Sequence, residues 1–343
     1  MESIAISKFN TCSFVEQGAK KECEDVVFSE LYQDGIIQAV FDGHSGSEVA
    51  KFCANNLIRT LDKFSSVYWN EKLYYVLLDL QSQIDNCCEF DDCSAGTTAV
   101  IVYIDKDFNI YVACIGDSRA MIVDTRSREI MKSKHEGSIQ ICDTMEHEFK
   151  KHDIKVITAS DRYITRPHCY SGKIIPEYEY YTQVHGIKFN ESETGYYADF
   201  HGLASMQPLR SIGDNEIEDM IRMPELYQWK LSRDDIDSCC LIMISDGFES
   251  NGAFTIDELA MFVSDPFKFL HDIASVINED FLVKENTHSH DNSMDHLLTS
   301  DSIERLFDIT AAHVKQDKQW METLKTALKI LRRYILAFKA LLR

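Results

Sequence analysis

The longest buried-looking run near the start of the chain is residues 35–41, GIIQAVF, with a single polar position. An apolar run of that length bounded by turn formers predicts a buried strand. Its end delivers Asp42-Gly43-His44. Ser45 and Glu48 then stand at the spacing of a capping box, ahead of Val49, Phe52 and Leu57 at helical intervals, so a helix is predicted to follow at once. Three more apolar runs come at 98–104 (TAVIVYI), 110–115 (IYVACI) and 119–123 (RAMIV). The links Asp105-Lys106-Asp107 and Gly116-Asp117-Ser118 are too short to hold crossover helices, which predicts an antiparallel meander. Residues 138–152 carry a helical pattern and 155–158 a short strand, while 159–200, rich in tyrosine, polar residues and turn formers, reads as a long surface insertion. Residues 239–244, CCLIMI, are apolar throughout and predict a central strand ending at Ser245-Asp246-Gly247, with helical patterns over 255–280. This order of elements suits an α+β layered sandwich.

The last segment differs from the rest. Met321, Leu324, Leu328, Leu331, Ile335, Phe338 and Leu342 alternate spacings of three and four, which is the signature of a long amphipathic helix. From Lys315 to Arg343 there are eight basic and two acidic residues, against a formal net charge of −21 for the whole chain. Such a helix can pack on the body of its own protein, dock on a protein partner or lie on an anionic membrane.

Composition narrows the function classes. At 343 residues the chain can hold one large or two ordinary domains with a sizeable core. Its acidity repels nucleic-acid phosphate, so no nucleic-acid partner is expected. No apolar stretch reaches about 18 residues, and MESIAISKFNTCSF has no basic segment leading into an apolar run, which points to an intracellular protein, cytoplasmic or nuclear. The 11 cysteines are scattered without a CxxC pair, as expected of reduced, buried thiols and not of a disulfide framework or a zinc site.

Candidate chemistry lies in three acids at predicted strand ends: Asp42 in FDGHSG, Asp117 in IGDSRA and Asp246 in ISDGFES. A carboxylate at the end of a buried strand is costly unless it is paired or metal-bound. Hard divalent cations such as Mg²⁺ and Mn²⁺ take carboxylate oxygen, backbone carbonyl and water, and an adjacent glycine lets a carbonyl approach. One DG pair alone is a common turn signal, but several acids of this kind are harder to attribute to turns.

These segments resemble the protein phosphatase 2C family. FDGHSG is similar to its DGHGG motif, SAGTTA (94–99) to SGTTA, IGDSRA (115–120) to GDSRA, LRSIGD (209–214) to SRALGD, LIMISDG (241–247) to the strand entering SDG, and ECED (22–25) to its MED segment. They occur in the family's order between about 24 and 291. The resemblance implies a four-layer α-β-β-α sandwich with two central antiparallel sheets over 1–312, followed by the amphipathic tail at 313–343. It implies metal-dependent dephosphorylation of phosphoserine and phosphothreonine in protein substrates, through a hydroxide bridging two Mg²⁺ or Mn²⁺ ions. By resemblance Asp42 bridges both ions, Gly43 offers its carbonyl, Glu24 binds one ion, Asp246 and Asp291 the other, and Asp25 supports the water shell. Asp117 matches the ligand of a weaker third ion, and His44 the general acid that protonates the leaving oxygen.

Four positions depart from the pattern. Lys20 stands where the family holds substrate phosphate with arginine, keeping the charge without the bidentate fork. Ser250 replaces a third-site aspartate. Asp291-Asn292, the best match to the closing DN motif, precedes SMDHLLTSD, a poor strand sequence. Leu209 replaces a serine, and the insertion at 159–200 is not in the place of the family's usual flap. The same departures fit a second reading, a catalytically weak or inactive phosphatase-like scaffold that binds regulatory partners.

Overall fold

The structure, a computed structural model, describes residues 10–14, 22–90, 94–127, 129–130, 140–143, 145–153, 176–192, 195–232, 235, 238–245, 260–261, 264 and 309–313. Its elements begin with β1 (Asn10–Phe14), β2 (Val26–Tyr32), β3 (Gly35–Phe41) and the two-residue β4 (Gly43–His44). Helices α1 (Glu48–Lys63) and α2 (Trp69–Asp85) follow, then β5 (Gly96–Thr97), β6 (Ala99–Ile104), β7 (Asn109–Ile115) and β8 (Arg119–Asp124). Next come β9 (Glu129–Ile130), β10 (Gln140–Asp143), α3 (Glu146–Lys151), α4 (Pro176–Tyr180), β11 (Lys188–Ser192), β12 (Gly195–Phe200), β13 (Ala204–Met206) and β14 (Ile212–Gly213). The last strands are β15 (Glu225–Lys230), β16 (Cys239–Ile244) and β17 (Ile309–His313).

Two larger sheets organise these strands. One runs β10-β15-β7-β6-β3-β2 and the other β1-β17-β16-β8-β9, with every pairing antiparallel. The period-two alternation of strand side chains sorts the core into two layers. Ile37, Ala39 and Phe41 of β3, with Ile101 and Tyr103 of β6, face α1 and α2, whose Val49, Cys53, Leu57 and Leu61 and Leu73, Leu77, Leu80 and Ile84 fill that layer. Ile36 and Val40, with Val100, Val102 and Val112, face Ile122 of β8 and Leu241 and Met243 of β16. The first sheet is therefore covered on both faces, which is why all of β3 and β6 is buried and why these strands read as near-continuous apolar runs.

The layers described are thus helices, sheet and sheet. The fourth layer, the strand at 155–158, most of the helical pattern at 255–280 and the amphipathic tail fall outside the described residues, apart from His313 in β17. Among the described residues, no helix is long and apolar enough to cross a membrane. Cys23, Cys53, Cys87, Cys88, Cys114, Cys239 and Cys240 are free thiols.

Three local expectations need correction. The runs at 98–104, 110–115 and 119–123 are not one meander: β6 pairs with β7, but β8 pairs with β16 in the other sheet. The chain changes layers at Gly116, whose φ of +93° lies in the left-handed region that a side chain disfavours. A Cβ there would also lie 2.7 Å from the Thr98 side chain. The segment 138–152 is a short strand followed by a short helix, because β10 is taken up by pairing with β15. The capping box does not form: Ser45 has φ of +57°, Ser47 is the N-cap of α1 and it makes no side-chain cap.

The described part of the insertion has a core of its own. Tyr181, Ile187, Ala198, Phe200 and Met206 pack with Phe149 of α3 and with Leu209, Ile217, Met220 and Ile221. The Tyr181 hydroxyl donates to the Leu209 carbonyl at 2.8 Å and accepts from the Ile221 amide at 2.7 Å, spanning the loop that carries β14.

Candidate functional site

The site is assembled by a three-stranded ribbon of two-residue strands, in the order β14-β5-β4. Gly43 pairs with Thr97 and His44 with Gly96 on one side of β5, while Ile212 pairs with Thr97 and Gly213 with Gly96 on the other. Three motif segments far apart in sequence, DGH, SAGTT and SIGD, are thereby held side by side. Two more bonds extend the ribbon: the Thr98 amide donates to the Asp42 carbonyl at 2.9 Å and the Asp214 amide to the Ala95 carbonyl at 3.1 Å. A fourth segment joins through Thr98 and Ser118, whose hydroxyls lie 2.5 Å apart in the core. This places the Gly116-Asp117-Ser118 link beneath the same ribbon.

Across it, His44 Nε2 lies 2.9 Å from both carboxylate oxygens of Asp214. Asp214 is 2% exposed and also accepts from the Ser211 hydroxyl. Burial works against a charged His44 ring. The hydrogen bond and charge of Asp214, joined by the charges of Asp42 and Asp117, outweigh it and hold the imidazole above its ordinary 6.5. The backbone around this pair is unusual: Asp214 itself has φ of +49°, and Gly213 before it +85°. That turn is clamped from two directions. Gln81 of α2 accepts from the Gly213 amide at 2.8 Å, and the Arg222 guanidinium donates to the carbonyls of Gly213, Asp214 and Ile217 at 3.0–3.3 Å.

The acids of the ECED segment meet the same loop. Glu24 accepts from the Gly46 amide at 2.8 Å, and the Glu24 carbonyl lies 2.5 Å from where a Cβ on Gly43 would stand. Only glycine fits at Gly43 with the backbones this close. Asp25 accepts from the Ser245 hydroxyl at 3.3 Å, which brings the end of β16, one residue before Asp246, to Asp25. Asp117 is 9% exposed, next to fully buried Ser118.

Of the residues singled out in the sequence, Glu24, Asp25, Asp42, Gly43, His44 and Asp117 are described, and the contacts above bring them to one end of the sheets. Lys20, Asp246 and Asp291 lie outside the described residues. Among the described residues no group of three or more His, Cys, Asp and Glu side chains closes into a metal site. The donor set itself, two carboxylates and a glycine carbonyl at one strand end, has the chemistry that hard divalent cations take. Three residues of the site escape motif reading: Asp214, Gln81 and Arg222. Asp214 does sit in a segment matched to SRALGD, but a glycine-aspartate pair after a short apolar run looks like any turn. Gln81 is distinguished only as a polar position on the buried face of α2.

Residues 9–140 match the family model described as protein phosphatase 2C. A probable protein phosphatase 2C of Caenorhabditis elegans is 37% identical over 86 residues, 24% of this chain and 24% of that protein. One of Paramecium tetraurelia is 31% identical over 135 residues, 35% of this chain and 44% of that protein. The chain thus spans from about a quarter to less than half the length of these curated relatives. Among solved structures, a serine-threonine phosphatase 2C from Toxoplasma gondii has a TM-score of 0.54 at 14% identity, covering 89% of this chain and 93% of its own. A sex-determining protein of C. elegans has the same TM-score and identity, with 92% and 66% covered. At this identity the structures speak for the fold alone, a mixed architecture of helices and antiparallel sheets.

Proposed function

We propose, for a chain that belongs to the protein phosphatase 2C family, that it hydrolyses phosphoserine and phosphothreonine esters in proteins with Mg²⁺ or Mn²⁺ as cofactor. The reading is carried by one observation: the β14-β5-β4 ribbon sets a hydrogen-bonded His44–Asp214 pair directly after Asp42, beside Glu24.

Glu24, Asp42 and the Gly43 carbonyl are the described groups that would hold the ions, with Asp246 and Asp291 completing the set and Asp117 serving a weaker third. Mg²⁺ or Mn²⁺, when bound, makes water nucleophilic near neutral pH and neutralises phosphoryl charge. The chain's own contribution is a placed proton. Asp214 accepts from Nε2 and favours the imidazolium, which leaves Nδ1 to protonate the departing serine or threonine oxygen. Asp25 orders the water layer beside the ions from the ECED segment, and Lys20 receives the substrate phosphate.

The test is hydrolysis of a phosphopeptide by purified protein, dependent on Mn²⁺ and lost in Asp42→Asn. No turnover with either ion overturns the reading. A second reading, a phosphatase-like scaffold that binds regulatory partners, is favoured by Lys20 and Ser250 standing where the family's arginine and aspartate do. Calorimetry with Mn²⁺ separates the two: the enzyme takes up two ions with measurable heat, the scaffold does not.

A further inference from the structure

A cavity lies away from this site, at the other end of β3. It has a volume of about 530 Å³ and is framed by the β2–β3 turn, the α1–α2 loop and the helix-facing side of β7 and β15. The seven residues of β3 separate it from Asp42, and at about 3.3 Å per residue that is about 20 Å.

Its wall holds an ammonium group in an unusual setting. Lys72 is 2% exposed and makes no hydrogen bond or ion pair among the described residues. Its Nζ sits 4.1 Å above the Trp69 ring. That ring is fixed in turn, stacked on Tyr103 at 3.5 Å and edge-on to Tyr32 at 6.0 Å. The nearest acid felt by Lys72 is Asp62, which is already bonded to the Tyr32 hydroxyl at 2.8 Å. Burial pulls the ammonium below its ordinary value, and the Asp62 charge only partly opposes this.

The Lys72 stem is buried, but its ammonium opens on the cavity with no carboxylate bonded to it, and the face of one indole meets its charge only in part. The rest of the lining explains what would complete it. Ser65, Ser66, Gln33 and Gln228 offer hydroxyls and amides, Tyr111 offers a flat ring beside Trp69, and no acid among the described residues lines the cavity. Gln228 and Tyr111 are direct cross-strand partners, so amide and ring stand on one face of the sheet. A volume of this size matches that of small-molecule sites, about 300–1,000 Å³.

We propose that this cavity binds a small organic anion, a planar ring carrying a carboxylate or phosphate, with Lys72 as counter-ion and Tyr111 as the ring's platform. The charge is met by Lys72 and the neighbouring donors, while the ring replaces water on the aromatic wall.

Calorimetric titration of the full chain with benzoate, phenyl phosphate and benzyl alcohol tests this. At least one of the two anions is expected to bind saturably, and neutral benzyl alcohol is not. Lys72→Met should weaken the anion by about tenfold or more, while Lys72→Arg stays within about threefold of the wild type. Dependence on Lys72 for phenyl phosphate alone assigns the ligand to phosphate esters, and for benzoate to carboxylates. Because phosphate can also enter the cleft at Asp42, only binding lost with Lys72 counts in favour. Should Lys72→Met fail to fold, Ser65→Trp, which fills the cavity from an exposed loop position, must abolish the same binding. Failure of both anions to bind, or equal binding by Lys72→Met, overturns the proposal.

Discussion

Replacing Gly96 by alanine isolates the His44–Asp214 pair without touching either residue. Gly96 does not occupy the left-handed region, so alanine costs little in backbone strain there. The effect comes from space. A Cβ at Gly96 would stand 2.2 Å from Asp214 Oδ2 and 2.4 Å from His44 Nε2, and ordinary contact begins at 3.4 Å, so each partner has to retreat by about 1 Å. A 2.9 Å hydrogen bond opened by that amount is no longer one. A hydrogen bond to a charged group contributes about 1.5–3 kcal/mol. At about 1.36 kcal/mol per decade, its loss at the proton donor lowers kcat by about 10- to 150-fold. KM for a phosphopeptide should change little, because neither residue is assigned to substrate binding. The assay is Mn²⁺-dependent phosphopeptide turnover for the wild type, Gly96→Ala, Asp214→Asn and the double variant, with melting curves for each. The two single changes remove the same bond, so the double variant should be little worse than the worse single one. Gly96→Ala turning over within about twofold of the wild type would refute the assignment of His44 and Asp214 as a working pair.

Four further outcomes are expected. Asp214→Asn should lose far more activity on phosphoserine peptides than on an aryl phosphate whose leaving group needs no proton, measured as the ratio of the two kcat values. Mn²⁺ should raise the melting temperature of the wild type, and a chelator should reverse this, while Asp42→Asn shows no such shift. Gln38→Met should stabilise the protein by about 1 kcal/mol in denaturant unfolding. Gln38 is fully buried between the two sheets, and its Oε1 has no partner among the described residues. Lys72→Met should melt above the wild type at neutral pH. Because burial holds the native pKa of Lys72 below the unfolded 10.5, the cost of the charge is full below the native value and is relieved as pH rises through it toward 10.5. The gap between the two melting temperatures should therefore narrow with alkalinity, and a constant gap would count against a buried charge.

What could be read from sequence follows from how local each signal is. GIIQAVF and CCLIMI announce buried strands because every one of their residues is buried, and composition alone records that. Asp42, Gly43 and His44 are legible because the motif is contiguous and sits on a strand end. The layer change at Gly116 is not legible, since a three-residue link looks the same whether the next strand pairs beside its neighbour or crosses to another sheet. The capping box fails for a related reason: Ser45 has the right chemistry, but the left-handed backbone beside His44 takes it out of the capping position. Asp214 is the main residue that was not anticipated in its role. It lies 170 positions from His44, and only the pairing of two-residue strands, too short to leave any periodicity, brings them together. β17 at Ile309–His313 escapes likewise, because five residues rich in alanine carry little strand signal.

The Tyr181 hydroxyl, bonded to both arms of the loop around Asp214, makes the 176–206 hairpin region something other than an ornament. The core around Tyr181 and the turn that carries Asp214 are tied at this one hydroxyl. A loop graft that exchanges this hairpin for one from a relative would displace Leu209 and Ile221 together unless it kept a hydroxyl at that spot. Engineering of substrate preference through the hairpin therefore has a fixed point, and a chimera lacking it should be impaired in turnover before it is altered in selectivity.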